Sequence, residues 1–215
     1  CIDNHGTEDS GLHRLFLDGQ VNNLLGIADY FHLSILQSVF PFGTTYGQFS
    51  YESNFFSPRI RLGFDVSENQ FVSDQSSVAD LAELSGIVNV YGINSRYIAQ
   101  RSRKKNSSYE LRLERINSDL QYGDISEESR FLDQTLANAY FSYSFDYLND
   151  KSKLLHDATF TYNRGYFEFG FSQGQERHFD VFSVDYTLLS FLNVPFTESS
   201  SRLIFKSHLQ YSGTT

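Results

Sequence analysis

Charged side chains alternate with apolar ones in several segments of this sequence. The charged residues concerned are Arg59, Arg61, Asp65, Glu110, Arg112, Glu114, Asp146 and Asp185. In a β-strand, side chains at successive positions face opposite sides, so such charges share one face. A lipid-facing charge at the midplane of a bilayer costs about 2–4 kcal/mol. We therefore predict that these eight residues line a wet lumen or contact a partner.

The sequence contains no common catalytic or metal-binding motif. It has no H-E-x-x-H, no G-x-S-x-G and no P-loop, and its six histidines are scattered. We interpret His32 and His208 as solvated wall residues of the lumen. His156 with Asp157, or His178 with Asp180, could imitate a hydrolytic pair. Cys1 is the sole cysteine, so an internal disulfide is excluded. We predict no enzyme, no metal site and no cofactor.

The composition favours β-structure with an aromatic surface. The 215 residues include 21 Phe and 14 Tyr, but no Trp and three Pro. Mean hydropathy is −0.36, and no apolar run approaches the roughly 20 residues of a spanning helix. Aromatic residues at alternate positions of short segments are typical of outer-membrane strands. The net charge of −9 makes nucleic acid an improbable partner.

The period-two pattern recurs along the chain and predicts eleven strands. Many segments reach the roughly 9–11 residues that a tilted membrane strand needs. Short polar turns are expected after residues 23, 53, 100, 148 and 193, and longer links over 68–84, 119–134 and 171–179. This alternation predicts an all-β, transmembrane antiparallel β-barrel, with a soluble β-sandwich as the alternative. Segments 87–97 and 155–169 alternate too irregularly for their faces to be assigned.

Eleven strands would leave two unpaired edges, and open edges do not persist in hydrocarbon. We therefore expect further strands elsewhere in a longer protein. The sequence has no Met, and we expect it to be a processed or partial chain. A leading Cys1 could also carry a lipid, as the first residue of a bacterial lipoprotein does.

The beginning of the chain carries two distinctive strings, I-D-N-H-G-T-E-D-S-G and N-N-L-L-G-I-A-D. Together they resemble the barrel opening of two-partner secretion transporters, the haemolysin-activator family. The family-motif turn residues matched are Asp3, Asn4, Gly6, Gly11, Asn23, Gly26 and Asp29. Leu24 departs from the family pattern, which has Pro there. Gly26 permits a positive φ, and Asn and Asp side chains can bond the turn backbone.

This resemblance implies a fold and a function. The family barrel has about sixteen strands, an even number as in other bacterial barrels, preceded by two periplasmic POTRA modules. Residues 1–215 would then form the N-terminal part of the barrel domain. The resemblance implies a bacterial outer-membrane pore that exports a large secreted client protein. Its other partners would be the POTRA modules of the same full-length protein and the lipid bilayer with lipopolysaccharide. A diffusion porin, or a receptor-like or structural barrel, is the alternative.

The string N-R-G-Y-F at residues 163–167 imitates the Arg-Gly-Tyr/Phe motif of the family's lumen loop. Compared with the family pattern, it occurs about 45 residues too early, and it lies at the end of a predicted strand rather than in a long loop. We therefore predict that it is a strand terminus with Arg164 near the membrane interface.

Overall fold

Eleven β-strands make up the described part of this protein. The computed structural model describes residues 2–3, 13–40, 43–73, 83–123, 130–169, 177–193 and 200–214. The strands are β1 (Ile2–Asp3), β2 (His13–Asn22), β3 (Tyr30–Phe40), β4 (Thr44–Ser57), β5 (Ile60–Ser73), β6 (Glu83–Arg101), β7 (Lys105–Gly123), β8 (Arg130–Asn149), β9 (Leu154–Phe169), β10 (His178–Asn193) and β11 (Ser200–Thr214).

All eleven strands belong to one antiparallel sheet in chain order, each paired with the next. Within the described ranges, β1 and β11 are each paired on one side only, so the sheet is open. The predicted fold class, all-β with eleven antiparallel strands, is confirmed. No helix in these ranges is long and apolar enough to cross a membrane.

The sheet has no second layer, and this decides between the barrel and the sandwich. A sandwich buries the inner faces of two packed sheets. Here the described residues form a single sheet, in which Tyr51 and Ala158 are the only buried hydrophobic residues. Many large apolar side chains are exposed instead, such as Leu17 and Ile93. The soluble sandwich alternative is therefore wrong.

Strand register collects the apolar side chains onto one face, which we call the apolar face. One row runs across five strands through Phe31, Tyr51, Phe64, Ile93 and Leu113. The rings of Phe31 and Tyr51 lie 4.5 Å apart between centroids, and those of Tyr51 and Phe64 lie 5.8 Å apart. Such tilted cross-strand aromatic pairs stabilise a sheet beyond simple area burial.

The same register assigns the two segments whose faces the sequence left open. Tyr91 pairs with Val66, so it lies on the apolar face of β6. Phe160 pairs with Tyr143 and therefore lies on the apolar face of β9. The opposite side of the sheet, which we call the polar face, carries Asp65 on β5 and Arg112 on β7.

The three long links predicted from sequence fall between the expected strands, but the bounds predicted for the first two are too wide. Strand β5 continues to Ser73 and β6 begins at Glu83, while β7 continues to Gly123 and β8 begins at Arg130. Strands β6, β7 and β8 have 19, 19 and 20 residues, about twice the span that a membrane requires. A strand that continues into water is solvated on both sides, so polar residues occur on both faces and the alternation disappears.

The turn expected after residue 53 also lies farther along the chain than predicted. Strand β4 continues past an irregularity between Ser53 and Ser57, and the turn occupies residues 58–59. Connections 23–29, 58–59, 102–104 and 150–153 all lie at one end of the sheet, which we call the turn end. There Lys104 pairs with Asp150 of the neighbouring turn, and this hydrogen-bonded carboxylate raises the pKa of Lys104. The opposite end of the sheet is the far end.

Candidate functional site

Three charged residues meet on the polar face near the middle of the sheet. Arg112 on β7 donates from Nη1 and Nη2 to the two carboxylate oxygens of Asp65 on β5, at 2.7 and 2.9 Å. Its Nε and Nη2 also donate to Oε2 of Glu114, at 3.1 and 3.0 Å. The guanidinium therefore bridges two carboxylates, a geometry that its planar fork of donors suits. We call these three residues the arginine bridge.

The arginine bridge passes over the intervening strand β6, and Gly92 makes this possible. Gly92 pairs with Asp65 on one side and with Glu114 on the other. A Cβ atom at this position would lie 2.7 Å from Nη2 of Arg112 and 2.7 Å from Oδ1 of Asp65. Glycine is therefore needed here for close approach of charged groups, and the sequence pattern did not predict this role.

Gly92→Ala is expected to lower the free energy of unfolding by about 1 kcal/mol, because partly exposed ion pairs contribute little more than that. The added methyl group would push Arg112 away from Asp65. Urea unfolding of the refolded full-length protein measures the change. Gly47→Ala is the matched control, since a Cβ there meets nothing within 4 Å. Equal unfolding midpoints for the two variants would contradict the proposed role of Gly92.

Two further ion pairs lie on the polar face, closer to the turn end. Arg96 donates from Nη2 and Nε to Oε2 of Glu110, at 2.6 and 2.9 Å. Arg61 donates from Nη1 to Oε2 of Glu52, at 3.3 Å. These side chains are about a third to a half exposed, so solvent screens them and they exchange partners at low cost.

Strands β7 to β11 place two aspartates on the same face, apart from the arginine bridge. Asp146 accepts hydrogen bonds from Nδ2 of Asn106 at 2.9 and 3.1 Å. Asp185 lies 2.7 Å from Nδ1 of His208. The polar face therefore carries charges of both signs over much of its width.

The structure distributes the eight predicted lumen residues in three ways. It joins Asp65, Arg112 and Glu114 in one cluster, and it leaves Arg61, Glu110, Asp146 and Asp185 on the same face with other partners. Arg59 differs, because it occupies the turn 58–59, where its carbonyl accepts from Ile98 N–H at 2.8 Å. Sequence reasoning missed Arg96 because the faces of its segment could not be assigned.

The turn 23–29 uses the family-motif residues as its geometry requires. Gly26 has a φ of 79°, and Asn23 also adopts a positive φ of 57°. The carboxylate of Asp29, a residue only 2% exposed, accepts from Leu25 N–H at 3.1 Å to each oxygen. Oδ1 of Asn23 accepts from Ala28 N–H at 2.9 Å. These are the backbone bonds that the sequence predicts for the turn.

The remaining family-motif residues cannot be compared in this way. Asn4, Gly6 and Gly11 lie outside the described residues, and Asp3 is described only as a backbone partner of Arg14 in β1 and β2. The imitation motif at residues 163–167 lies in the last part of β9, which ends at Phe169. There Arg164 is on the apolar face and pairs with Asp180 on β10.

The apolar face carries tyrosines toward both of its ends. Tyr97 and Tyr109 form a directly opposed pair near the turn end, and Tyr143 stands opposite Tyr109 with ring centroids 4.9 Å apart. Toward the far end, Tyr91 and Tyr166 lie in one row that crosses β6 to β9. Tyrosine rings have an apolar body and a polar tip, so such girdles suit the two boundaries of a membrane.

The comparisons with known proteins agree with this architecture. A family model described as haemolysin secretion/activation protein ShlB/FhaC/HecB matches residues 1–215. No curated protein matches the chain significantly. Among solved structures, CdiB from Escherichia coli is similar with a TM-score of 0.76 and 15% identity, covering 99% of this chain and 40% of that chain. At this identity the likeness concerns the fold alone, and the chain spans 40% of the length of that structure. Since the family model matches throughout, the chain belongs to the haemolysin secretion/activation protein family ShlB/FhaC/HecB.

Proposed function

We propose that this chain is the N-terminal part of the wall of a bacterial outer-membrane pore, through which the full-length protein exports one large partner protein. The observation that carries this proposal is the division of a single sheet into an exposed apolar face and an exposed face bearing charges of both signs. The apolar face would contact the bilayer with its lipopolysaccharide, and the polar face would line the lumen. Export of this kind needs no ATP and no cofactor.

The chemistry of the polar face suits passage of an unfolded chain. Partly exposed pairs such as Arg96 with Glu110 offer weak hydrogen bonds that a passing peptide can replace. A mixture of signs avoids the strong binding that a field of one sign would give to segments of opposite charge. A moving chain would therefore meet many weak contacts rather than one tight site.

Other parts of the full-length protein would supply recognition. In the family that the sequence resembles, POTRA modules capture the client in the periplasm, and a conserved loop lies in the pore. On this proposal residues 1–215 provide wall and external hairpins. No single charge on the polar face should then be indispensable.

Export experiments test the proposal in the native bacterium. The client is identified as the large protein that is present in the culture medium of the wild type and absent from the medium when this gene is deleted. Neutralising Asp185 or Glu110 singly should lower its export by less than about fivefold, because each exposed pair is worth about 1 kcal/mol or less. Deleting the POTRA modules of the full-length protein should abolish export. Barrel level in outer-membrane fractions serves as the control.

Two outcomes would contradict the export proposal. Export could survive deletion of the POTRA modules, or no secreted protein could depend on the gene. In either case a diffusion porin or a receptor-like barrel would replace the export pore. A swelling assay with small sugars, in liposomes that contain the full-length protein, would then identify a porin.

Cysteine labelling tests the proposed orientation, with the turn end in the periplasm. The positions are Asp80 and Glu127, which lie outside the described residues, between β5 and β6 and between β7 and β8, and Lys104, in the turn 102–104. On intact cells an impermeant maleimide should modify cysteine at 80 or 127, but cysteine at 104 only after the outer membrane is permeabilised. The matched background is the full-length protein with Cys1 and every other cysteine changed to Ser. Labelling of position 104 alone on intact cells would invert the orientation.

A further inference from the structure

A concave groove of about 680 Å³ interrupts the apolar face toward the far end. It forms because Ala137 and Ala139 on β8 are small, while their neighbours on β6 and β7 are large. Ile93 and Leu113 line one side of the groove, and Tyr166 on β9 lines the other. The lining is mostly apolar, and Ile93, Leu113 and Tyr166 belong to the apolar face.

The rim of this groove is charged. Arg115, Arg164, Glu168 and His178 line it. The other two acidic lining residues, Asp65 and Glu114, accept hydrogen bonds from Arg112 on the polar face. Nη2 of Arg115 lies 2.7 Å from Oε2 of Glu168, and both side chains are substantially exposed. A guanidinium has five N–H donors, and a single carboxylate accepts from only some of them. Arg115 therefore keeps N–H groups that can donate to a further ligand.

The second arginine contacts the Tyr162 hydroxyl and lies near one carboxylate. Nε of Arg164 lies 3.9 Å from Oδ1 of Asp180, beyond hydrogen-bond distance, and the Arg164 side chain is 56% exposed. Asp180 instead accepts a hydrogen bond of 2.6 Å from the hydroxyl of Tyr162. The His178 ring stacks on Tyr166 with centroids 4.8 Å apart, which fixes that wall of the groove.

We propose that this groove binds one lipopolysaccharide molecule of the outer leaflet, with an acyl chain over Ala137 and Ala139 and a lipid A phosphate on Arg115 and Arg164. The inference rests on the proposed function, which places the apolar face in the membrane and the far end outside. Arginine pairs with phosphate through two parallel hydrogen bonds. Arg115 stands opposite Ala137 and Arg164 opposite Ala139, so the two arginines flank an apolar floor that suits an acyl chain. Phosphate with an attached acyl chain is therefore the ligand chemistry that fits.

Binding of defined lipids to the purified full-length protein tests the inference by native mass spectrometry in detergent. The probes are bisphosphorylated lipid A, the same lipid with its phosphates removed, and phosphatidylglycerol. The double variant Arg115→Gln/Arg164→Gln should bind bisphosphorylated lipid A about tenfold more weakly, the loss expected for about 1.4 kcal/mol of phosphate contacts. Glu168→Gln should bind it more tightly, because it removes the competing carboxylate.

The matched control is Arg61→Gln/Arg96→Gln, which removes two arginines from the polar face and should leave lipid binding unchanged. Three results would overturn the inference: equal affinity of the rim variant and the wild type, equal binding of dephosphorylated lipid A, or an equal effect on phosphatidylglycerol. The last result would identify a general anionic phospholipid site instead. Because the measurement requires no client protein, its failure is distinct from failure of the export experiment.

Discussion

Phe64→Arg is expected to prevent assembly of the barrel in the outer membrane. Phe64 lies within the apolar row of β5, 42% exposed, with its ring 5.8 Å from each of Phe49 and Tyr51. An arginine at this position would face lipid, at a cost of about 2–4 kcal/mol near the midplane. It would also lose both ring contacts. The folded fraction in outer-membrane preparations, measured by heat-modifiable migration in gels, reports the result.

The control inserts the same charge on the other side of the sheet. Ser50 on β4 pairs directly with Asp65 and lies on the polar face. Ser50→Arg should therefore assemble at the level of the wild type, and Asp65→Asn should do so as well. If Phe64→Arg and Ser50→Arg assembled equally well or equally poorly, the assignment of the two faces would have to be abandoned.

Asp29→Ala is expected to lower the free energy of unfolding by about 1.5–3 kcal/mol, the range for hydrogen bonds to a charged acceptor. Both carboxylate oxygens of Asp29 accept from Leu25 N–H, and Oδ1 also accepts from Ile27 N–H at 3.4 Å. With the carboxylate gone, these backbone groups lose their acceptor within a tight turn. Urea unfolding of the refolded full-length protein measures the loss.

Two variants serve as controls for Asp29→Ala. Asp29→Asn keeps one oxygen acceptor in place and should cost less than the alanine variant. Asp18→Ala removes an exposed carboxylate that pairs with His32, and it should change stability very little. Similar unfolding midpoints for Asp29→Ala and Asp18→Ala would show that the hydrogen bonds of Asp29 do not stabilise the turn.

The number of strands and most of the face assignments could be predicted from the sequence, because alternation is a local property. Residues 60–66 and 109–114 alternate without interruption, and the structure places their apolar members on one face. Segment 87–97 could not be assigned because Val88 and Val90 lie on the polar face together with Arg96. The pairing of β6 with β5 and β7 assigns the faces of this segment, and that pairing joins residues far apart in the sequence.

The arginine bridge was beyond prediction for a similar reason. Arg112 and Asp65 are 47 residues apart in the chain, and their contact depends on the register of two hairpins. It also depends on Gly92, which looks unremarkable in the sequence. Strand ends were predicted too early because the polar composition of hairpins in water is the same as that of loops. The groove at Ala137 and Ala139 likewise arises only when neighbours from β6, β7 and β9 are brought alongside.

A sheet with so few enclosed side chains places unusual limits on how its sequence can diverge. Where a core is closely packed, each position must match the shape of its neighbours. Here Tyr51 and Ala158 are the only buried apolar residues in the described ranges. At most positions the residue therefore needs only to be apolar on one face or polar on the other. Many sequences satisfy that requirement equally well. This tolerance gives a physical account of how a TM-score of 0.76 can accompany 15% identity.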